Sequence, residues 1–227
     1  MRYRGHDSVV EQADVTRRYN RLARVYDFYD APMEAMGTRK LRKRLVSRAS
    51  GTVLEVGVGT GKNLPYYSDS SPIVGIDVSR RMLARAENRA TTVAATVQLA
   101  EADVQRLPFD DDSFDTVVAT CVFCSVADPV QGFKELARVV RPEGSVLLLE
   151  HVRPINRVLG RAADYATVVT RRVFGFRANR RTEENIARAG LETIEITVTG
   201  VWREIVARSA SIAQNRTEIE DATPSKG

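Results

Sequence analysis

The 227-residue sequence is poor in the side chains that hold disulfides and metals, with two cysteines and two histidines. Two cysteines cannot form a disulfide framework. Cys121 and Cys124 have the C-x-x-C spacing of redox and zinc motifs, but a four-ligand zinc site would also need His6 and His151 or nearby carboxylates. We therefore expect no metal site, and interpret the two cysteines as small side chains at the end of a buried strand.

Long apolar runs are lacking as well. No segment approaches the roughly 18 apolar residues that a membrane-spanning helix needs. Residues 1–12 carry charges from the second position onward and have no apolar centre of the signal-peptide type. The sequence thus predicts a cytoplasmic protein, with any membrane contact peripheral, at the inner surface. It gives no indication of the oligomeric state.

Basic residues are in excess, with a net charge of +5 and a pI near 9.4. The excess is concentrated in residues 17–24, 39–48 and 171–181. Such clusters can bind phospholipid head groups, RNA or an anionic substrate. For any single cluster, a solvated helix face is the commoner explanation. The composition therefore favours an acidic partner only weakly.

The first fifty residues have helical periodicity. Apolar and aromatic residues recur at steps of four and three, which predicts a helix over residues 14–30 with one apolar stripe: Val15, Tyr19, Leu22, Tyr26 and Tyr29. A second, basic helix is expected over residues 33–49, after Pro32. We interpret residues 1–50 as an N-terminal helical cap or lid.

The rest of the chain alternates between strand and helix patterns. Seven strands are predicted, at residues 52–57, 72–77, 96–100, 113–121, 145–151, 191–199 and 201–208. The helices between them are expected to begin at Gly61, Ser79, Pro129 and Thr182. This pattern is typical of a doubly wound, mostly parallel seven-stranded α/β sheet with a C-terminal antiparallel hairpin. We assign residues 51–210 to this core, with an irregular stretch at 152–181, and residues 211–227 to a polar tail.

A glycine-rich loop follows the first predicted strand in the run LEVGVGTGKN, residues 54–63. Glycines at this place let a ligand approach the backbone, and ligands of such sheets bind beyond the carboxyl ends of the strands. Nicotinamide and flavin enzymes share the feature, but here the spacing is G-x-G-x-G and Glu55 precedes it. A P-loop is excluded because Asn63, and not Ser or Thr, follows Lys62.

Asp77 ends the second predicted strand, twenty residues after Gly57. A carboxylate at this position can accept hydrogen bonds from both ribose hydroxyls of an adenosine. The alternative is that Asp77 caps the following helix. The strand end, the spacing and the glycine loop together favour the ribose.

The run LEVGVGTGKN, with GIDVS at 75–79, ADVQRLPF at 102–109, DDDSFD at 110–115 and ELARVVRPEG at 135–144, closely resembles S-adenosylmethionine-dependent methyltransferases. More narrowly it resembles the ubiquinone/menaquinone C-methyltransferases and bacterial phospholipid N-methyltransferases. The resemblance covers roughly residues 19–189. It implies S-adenosylmethionine as cofactor.

The resemblance also implies site residues. Asp103 would bind the adenine amino group and the Val104 amide the ring, while Glu55 and the loop backbone would orient the methionine portion. Backbone groups at 120–122 would lie near the methionine amine and the acceptor. The cofactor-binding set is thus Glu55, Gly57, Gly59, Gly61, Asn63, Asp77, Val78, Asp103, Val104, Thr120 and Cys121. The segment YNRLA at 19–23 resembles the family's Tyr-Asp-x-x-Ala lid segment, with Asn20 in place of the acid.

Two residues are candidates for catalysis. The sulfonium already activates the methyl group, so the protein mainly positions an acceptor in line and excludes water. An amine or thiol acceptor must be deprotonated, which calls for a base. His151, at the end of the fifth strand, is that candidate, or else a strand-end histidine bonded to backbone. Tyr19 is a lid candidate, or else part of the core stripe.

The acceptor is indicated by two motifs. No Asn/Asp-Pro-Pro-aromatic motif follows the fourth strand, where the chain reads TCVFCS, so base methylation and a specific nucleic-acid partner are not expected. LEHVRP at 149–154 resembles phospholipid and small membrane-associated thiol methyltransferases. With the basic, aromatic first helix, it favours a lipid or lipophilic acceptor at an anionic membrane surface, first of all phosphatidylethanolamine. The alternatives are a quinone-precursor C-methyltransferase, a thiol methyltransferase, a cofactor-binding protein without turnover, and a dehydrogenase.

Overall fold

The structure is a computed structural model that describes residues 5–151 and 182–210. The irregular stretch and third basic cluster expected before residue 182, and the polar tail expected at 211–227, lie outside the described residues. The division of the chain at residues 50 and 210 stays a prediction. No described helix is both long and apolar enough to cross a membrane.

The described elements alternate as the sequence predicts. The helices are α1 (Gly5–Leu22), α2 (Tyr26–Met33), α3 (Arg39–Val46), α4 (Arg80–Ala90), α5 (Pro129–Val139) and α6 (Thr182–Arg188). The strands are β1 (Val53–Val56), β2 (Ile73–Asp77), β3 (Val97–Glu101), β4 (Phe114–Thr120), β5 (Val140–His151), β6 (Leu191–Thr199) and β7 (Trp202–Ser209).

The seven strands form one sheet in the order β3-β2-β1-β4-β5-β7-β6. Neighbours from β3 to β5 are parallel, and β7 is antiparallel to both β5 and β6. The predicted doubly wound sheet with a final hairpin is therefore confirmed. The chain moves outward from β1 to β3 and then returns to β4, so the order switches between β1 and β4. Ligands of such sheets bind at this switch, beyond the carboxyl ends of the strands.

Apolar side chains cover both faces of the central strands. β1 is buried at all four positions, as expected for a strand between two helical layers. On one face the rings of Phe123 and Phe133 stack with centroids 3.7 Å apart. On the other face α3 contributes Leu45 and Val46. Asp128 caps α5 by accepting the Gln131 amide at 3.0 Å, with Pro129 at the first turn, as predicted.

The N-terminal prediction of one helix over residues 14–30 is wrong. α1 ends at Leu22, and α2 begins at Tyr26 after a turn. The break lets α2 turn so that Asp27 reaches Thr60 and Arg85. We call α1 and α2 the lid. The side chain of Tyr29, the last member of the predicted stripe, is outside the described part.

The segment before α3 and the segment after the glycine loop also differ from simple helices. Gly37 has φ of +115°, which kinks the chain before α3. The prediction of a helix from Gly61 is wrong, since only a 3₁₀ turn, Leu64–Tyr66, forms there. Gly61 itself has φ of +80°, and Pro65 has no amide to donate, so an α-helix cannot propagate through the segment. β5 also begins earlier than predicted, at Val140.

Candidate functional site

The glycine loop leaves β1 with all three glycines at positive φ, 63° for Gly57, 57° for Gly59 and 80° for Gly61. A Cβ on Gly57 would lie 2.5 Å from Val122 Cγ2, so this glycine lets the loop pack on the segment after β4. A Cβ on Gly59 would meet nothing closer than the Gly57 carbonyl at 3.8 Å. Gly59 therefore leaves open space beside its backbone, which suits a close ligand.

Asp77 ends β2 beside this loop. Its carboxylate accepts the Gly59 amide at 3.0 Å through one oxygen and the Ser79 amide at 2.8 Å through the other. Burial raises the pKa of Asp77 to about 6, against the effect of these amides. The cap of α4 is Ser79, whose hydroxyl accepts the Met82 amide at 3.2 Å. Each Asp77 oxygen keeps a further lone pair with which a ribose hydroxyl could bond.

A pocket that is partly open to solvent lies between the lid and the carboxyl ends of the strands. It brings together six predicted site residues and residues of the lid. Its wall consists of Gln12, Val15, Tyr19, Gly57, Ile76, Asp77, Val78, Ala102, Val104, Cys121, Val122, Ser125 and Val126. Asp103 is not part of that wall, and its carboxylate accepts the Gln105 amide at 2.9 Å.

Tyr19 closes the pocket from α1. Its hydroxyl lies 2.7 Å from the Ser125 hydroxyl, so the lid is tied to the segment after β4. Burial raises the pKa of Tyr19 well above its ordinary value, and it stays a neutral phenol near pH 7. The Cys124 sulfur lies 3.6 Å from the same serine, and Cys121 has an unusual φ of +59°. Ser125 was not predicted, because a lone serine in a loop has no distinguishing pattern.

A network of six polar side chains, which we call the buried network, adjoins the glycine loop. All of them except Glu34 are buried, and the six are Glu34, Arg42, Glu55, Asn63, Tyr67 and Thr120. Glu55 accepts Asn63 Nδ2 at 2.8 Å and the Tyr67 hydroxyl at 2.9 Å. Burial raises the pKa of Glu55 to about 7, although Tyr67, Asn63 and the charge of Arg42 lower it. Asn63 Nδ2 also reaches the Thr120 hydroxyl at 3.1 Å. Three predicted residues, Glu55, Asn63 and Thr120, are therefore held together here, and not in the pocket wall.

The lid is held on α4 by a second polar arrangement, which we call the lid seam: Asn20 and Asp27 of the lid with Arg81, Arg85 and Arg89 of α4. The three arginines are spaced four apart and so share one face of the helix. Asn20 Oδ1 accepts the Ser79 hydroxyl at 2.8 Å, and Arg81 donates to the Asn20 carbonyl at 3.3 Å.

Asp27 is the centre of the lid seam. It accepts the Thr60 hydroxyl at 2.7 Å, Arg85 at 2.9 Å and Arg89 at 3.3 Å. Burial alone would raise its pKa, but the bonds from Thr60 and Arg85 and the charges of Arg89 and Lys62 outweigh burial and lower it. Sequence reasoning missed Asp27, because it gave the region a single continuous helix.

His151 lies at the end of β5 opposite Trp202 of β7. The two rings meet edge to face with centroids 5.5 Å apart, and burial lowers the pKa of His151. Among the described residues, the pocket wall does not include His151. Its assignment as a base stays a prediction.

Comparison with known proteins places the chain among methyltransferases. The sequence model of the methyltransferase domain family matches residues 54–148. A phosphatidylethanolamine N-methyltransferase from Cereibacter sphaeroides is 35% identical over 185 residues, covering 81% of this chain and 90% of the relative. The ubiquinone/menaquinone biosynthesis C-methyltransferase UbiE of Hahella chejuensis is 30% identical over 171 residues, covering 68% of this chain and 69% of the relative.

Solved structures share the fold. A SAM-dependent methyltransferase from Thermotoga maritima superposes with a TM-score of 0.65 at 20% identity, covering 86% of this chain and 99% of that one. A second, from Methanosarcina mazei, superposes with a TM-score of 0.58 at 21% identity, covering 70% of this chain and 92% of the other.

Proposed function

Because this chain belongs to the S-adenosylmethionine-dependent methyltransferases, we propose that it transfers the methyl group to a lipid or lipophilic small molecule at a membrane surface, with the amine of phosphatidylethanolamine as first candidate. The cofactor and enzyme class predicted from the sequence are confirmed by the same relatives. The dehydrogenase alternative is thereby wrong. The open question is the acceptor.

One observation carries the choice of acceptor. The phosphatidylethanolamine N-methyltransferase relative aligns over 90% of its own length at 35% identity. The quinone C-methyltransferase relative aligns over 69% at 30%. The first relative thus shares more of its length, and more of its residues, with this chain than the second does. This favours the phospholipid amine.

The lid side of the pocket supports an apolar acceptor. Val15, Val122 and Val126 line it together with Tyr19. Contact with such a wall favours an acyl chain or a prenyl group over a small polar metabolite. Closure of the lid over the wall would also exclude water from the reaction.

S-adenosylmethionine supplies an already activated methyl group when bound, so the residues of this chain need only orient the partners. Asp77 and the glycine loop fit the adenosine portion, as the free lone pairs of Asp77 and the open space at Gly59 indicate. Tyr19 and Ser125 offer two linked hydroxyls at the wall, suited to hold an acceptor amine by hydrogen bonds. Tyr19 is a poor base because its pKa is raised. Removal of the amine proton is assigned to solvent or to His151.

The outer surface of the lid supports contact with a membrane. Phe28 on α2 is 86% exposed and Val25 in the preceding turn 53%. Arg21 and Arg24, close by in the chain, are exposed as well. Exposed apolar residues flanked by arginines suit an anionic bilayer surface, where the ring enters the interface and the guanidinium groups meet phosphates.

The acceptor is tested by incubating the purified protein with labelled S-adenosylmethionine and vesicles. Vesicles of phosphatidylethanolamine with an anionic lipid should give methylated phosphatidylethanolamine by mass spectrometry, and vesicles of phosphatidylcholine with the same anionic lipid should not. The Asp77→Ala variant serves as the cofactor-binding control. Label incorporated into neither lipid by a protein that binds the cofactor would reject the phospholipid proposal.

The membrane contact is tested separately by vesicle flotation. Phe28→Ser should reduce binding to anionic vesicles by up to about thirtyfold, because loss of the ring removes up to roughly 2 kcal/mol of apolar burial. Val198→Ser is the matched control, since Val198 is 60% exposed but lies on β6, away from the lid. Equal binding by both variants and the unchanged protein would argue against the lid as the contact.

A quinone precursor is the second candidate, supported by the quinone C-methyltransferase relative. The same labelled assay with a prenylated demethylquinol distinguishes it. Carbon methylation of that ring without any lipid product would replace the first candidate by the second.

A further inference from the structure

α3 carries five cations among its eight residues, and one of them is buried. Arg39, Lys40, Lys43 and Arg44 are exposed, whereas Arg42 is 6% exposed. Arg42 lies on the apolar face of the helix with Leu41, Leu45 and Val46. A hydrophobic residue would ordinarily occupy such a position, because burial of a charge is costly unless the charge is paired and hydrogen-bonded.

The guanidinium of Arg42 joins three parts of the chain. One terminal nitrogen donates to the Asn63 amide oxygen at 2.9 Å and to the Thr120 hydroxyl at 2.7 Å. Nε and the other terminal nitrogen donate to Glu34 Oε1 at 3.3 Å and 3.0 Å. Arg42 thus bonds at once to the segment before α3, to the loop after β1 and to the end of β4.

Asn63 is the link from Arg42 to the glycine loop. Its amide oxygen faces Arg42, and its nitrogen donates to Glu55 Oε1 at 2.8 Å. The bond from Arg42 fixes which end of the amide faces Glu55, because only the oxygen can accept from a guanidinium. Arg42 therefore orients the Asn63 amide group that donates to Glu55.

We propose that Arg42 is a positioning residue for the methionine end of the cofactor: it holds Asn63 and Thr120 in place and favours the anionic form of Glu55, whose charge attracts the cofactor's ammonium group. The proposal rests on the assignment of Glu55 to the methionine portion. It is independent of the acceptor. A result against it therefore leaves the lipid proposal standing, and a result against the lipid proposal leaves it standing.

The electrostatics around Glu55 agree with this role. The groups that face Glu55 are the Tyr67 hydroxyl, the Asn63 amide, the charge of Arg42 and the more distant carboxylate of Asp77. Of these, Arg42 is the one cation, and it opposes the effect of burial on the pKa of Glu55. Without that charge, a larger share of Glu55 would be protonated near pH 7 and would attract an ammonium group less.

A purely structural role for Arg42 makes a different prediction. If Arg42 only ties α3 to the sheet, its loss should disturb the whole pocket and weaken every adenosine ligand alike. Comparison of two ligands separates the two roles. S-adenosylhomocysteine carries the amino-acid end, whereas methylthioadenosine has the same adenosine and thioether without it.

The experiment is calorimetric titration of both ligands from pH 5.5 to 8.5 with the unchanged protein, Arg42→Met and Arg44→Met. Arg44 is the matched control, since it lies two residues away on α3 and its exposed guanidinium pairs with a different, buried carboxylate, that of Glu204 on β7. Arg42→Met should weaken S-adenosylhomocysteine about tenfold near pH 7, as expected for lost charge-assisted bonds. Methylthioadenosine binding should change less than twofold.

The pH profile provides the second readout. In the unchanged protein, the ratio of the two affinities should rise with pH through about 7, the pKa of Glu55. Asp77 is assigned to the adenosine that both ligands share, so its titration should largely cancel in that ratio, and its distant charge acts on Glu55 in all three proteins alike. In Arg42→Met the rise should move to higher pH, and in Arg44→Met it should stay where it is.

Equal weakening of both ligands by Arg42→Met, or an unshifted profile, would overturn the proposal. If Arg42→Met does not fold, Arg42→Lys decides the matter, because it retains the charge and loses the bridging geometry. Arg42→Lys should weaken S-adenosylhomocysteine selectively, with a smaller shift of the profile. Unchanged selectivity in Arg42→Lys would count against Arg42 as a positioning residue.

Discussion

Two arginine-bearing helices support the glycine loop and the lid in contrasting ways. α3 inserts Arg42 into the buried network, where side chains are shielded from water. α4 presents Arg81, Arg85 and Arg89 along the lid seam, where Arg85 and Arg89 remain 38% and 31% exposed. Solvent screens the seam, so that its contacts are individually weak and can open. The buried network has no such screening, so its geometry is rigid and its loss is costly.

The largest effect should follow from removal of Glu55 from the buried network. Glu55→Ala leaves the Asn63 amide, the Tyr67 hydroxyl and part of the Arg42 charge without their partner. We expect a loss of about 3 kcal/mol in the free energy of unfolding, measured by urea denaturation near pH 5, where the contribution of Glu55 is largely retained. Glu55→Gln is the control, because it retains a polar group of the same size. A loss below about 1 kcal/mol in Glu55→Ala would show that the network is no more costly to break than the lid seam.

The two regions should respond to pH with opposite sign. The folded pKa of Glu55, about 7, exceeds its ordinary 4.5, so its contribution to stability is present at low pH and is lost as the pH rises to about 7. The pKa of Asp27 is lowered, so its contribution is present at neutral pH and is lost on acidification. Between pH 4.5 and 7, Glu55→Gln should lose less stability than the unchanged protein. The difference should be about 1.4 kcal/mol for each unit by which the folded pKa of Glu55 exceeds its ordinary value. Parallel stability curves for the two proteins would contradict this.

The lid seam should control the exchange of cofactor more than stability. Arg85→Gln removes the bonds to Asp27 and to the Arg24 carbonyl. Dissociation of S-adenosylhomocysteine, followed by stopped-flow fluorescence, should become up to about fivefold faster, as expected for less than about 1 kcal/mol of screened contact. Added salt should likewise accelerate dissociation of the ligand from the unchanged protein. Arg80→Gln, on the same helix, removes only an exposed pair with Glu101 of β3 and should have no effect.

The smallest effect is expected at Asn20, where the resemblance to the family leads one to expect an acid. Asn20 Oδ1 already accepts from the Ser79 hydroxyl and from the Arg81 amide. An aspartate could accept the same bonds and add attraction to Arg81. Asn20→Asp should therefore change the free energy of unfolding by less than about 0.5 kcal/mol and slow ligand release slightly. A marked loss of affinity would mean that the amide nitrogen of Asn20 has a role of its own.

The fold and the glycine loop were predictable because local sequence determines them. The glycine spacing sets the backbone after β1, and the strand that ends at Asp77 brings its carboxylate to the Gly59 amide. Short apolar runs separated by helical patterns dictate a parallel sheet by simple packing. The same holds for the Asp128-Pro129 start of α5.

The parts that escaped prediction depend on contacts between distant segments. Arg42 looks like its four exposed neighbours in α3, and only the position of Asn63 and Thr120 reveals it as buried. The role of Asp27 depends on the turn between α1 and α2, which brings α2 to Thr60, and the sequence pattern did not predict that turn. His151 was predicted as a base because it ends a central strand. Its ring packs against Trp202, which comes from the last strand. Helical periodicity carries no information about such partners.

The contact between His151 and Trp202 has a practical consequence. Trp202 is the single tryptophan of the sequence, so the indole emission of the protein comes from one place, the start of β7 opposite the end of β5. A protonated imidazole quenches a neighbouring indole, and burial lowers the pKa of His151, so quenching should set in only at pH values below the ordinary histidine range. The chain thereby contains an intrinsic optical reporter of the protonation of His151, readable without any attached dye.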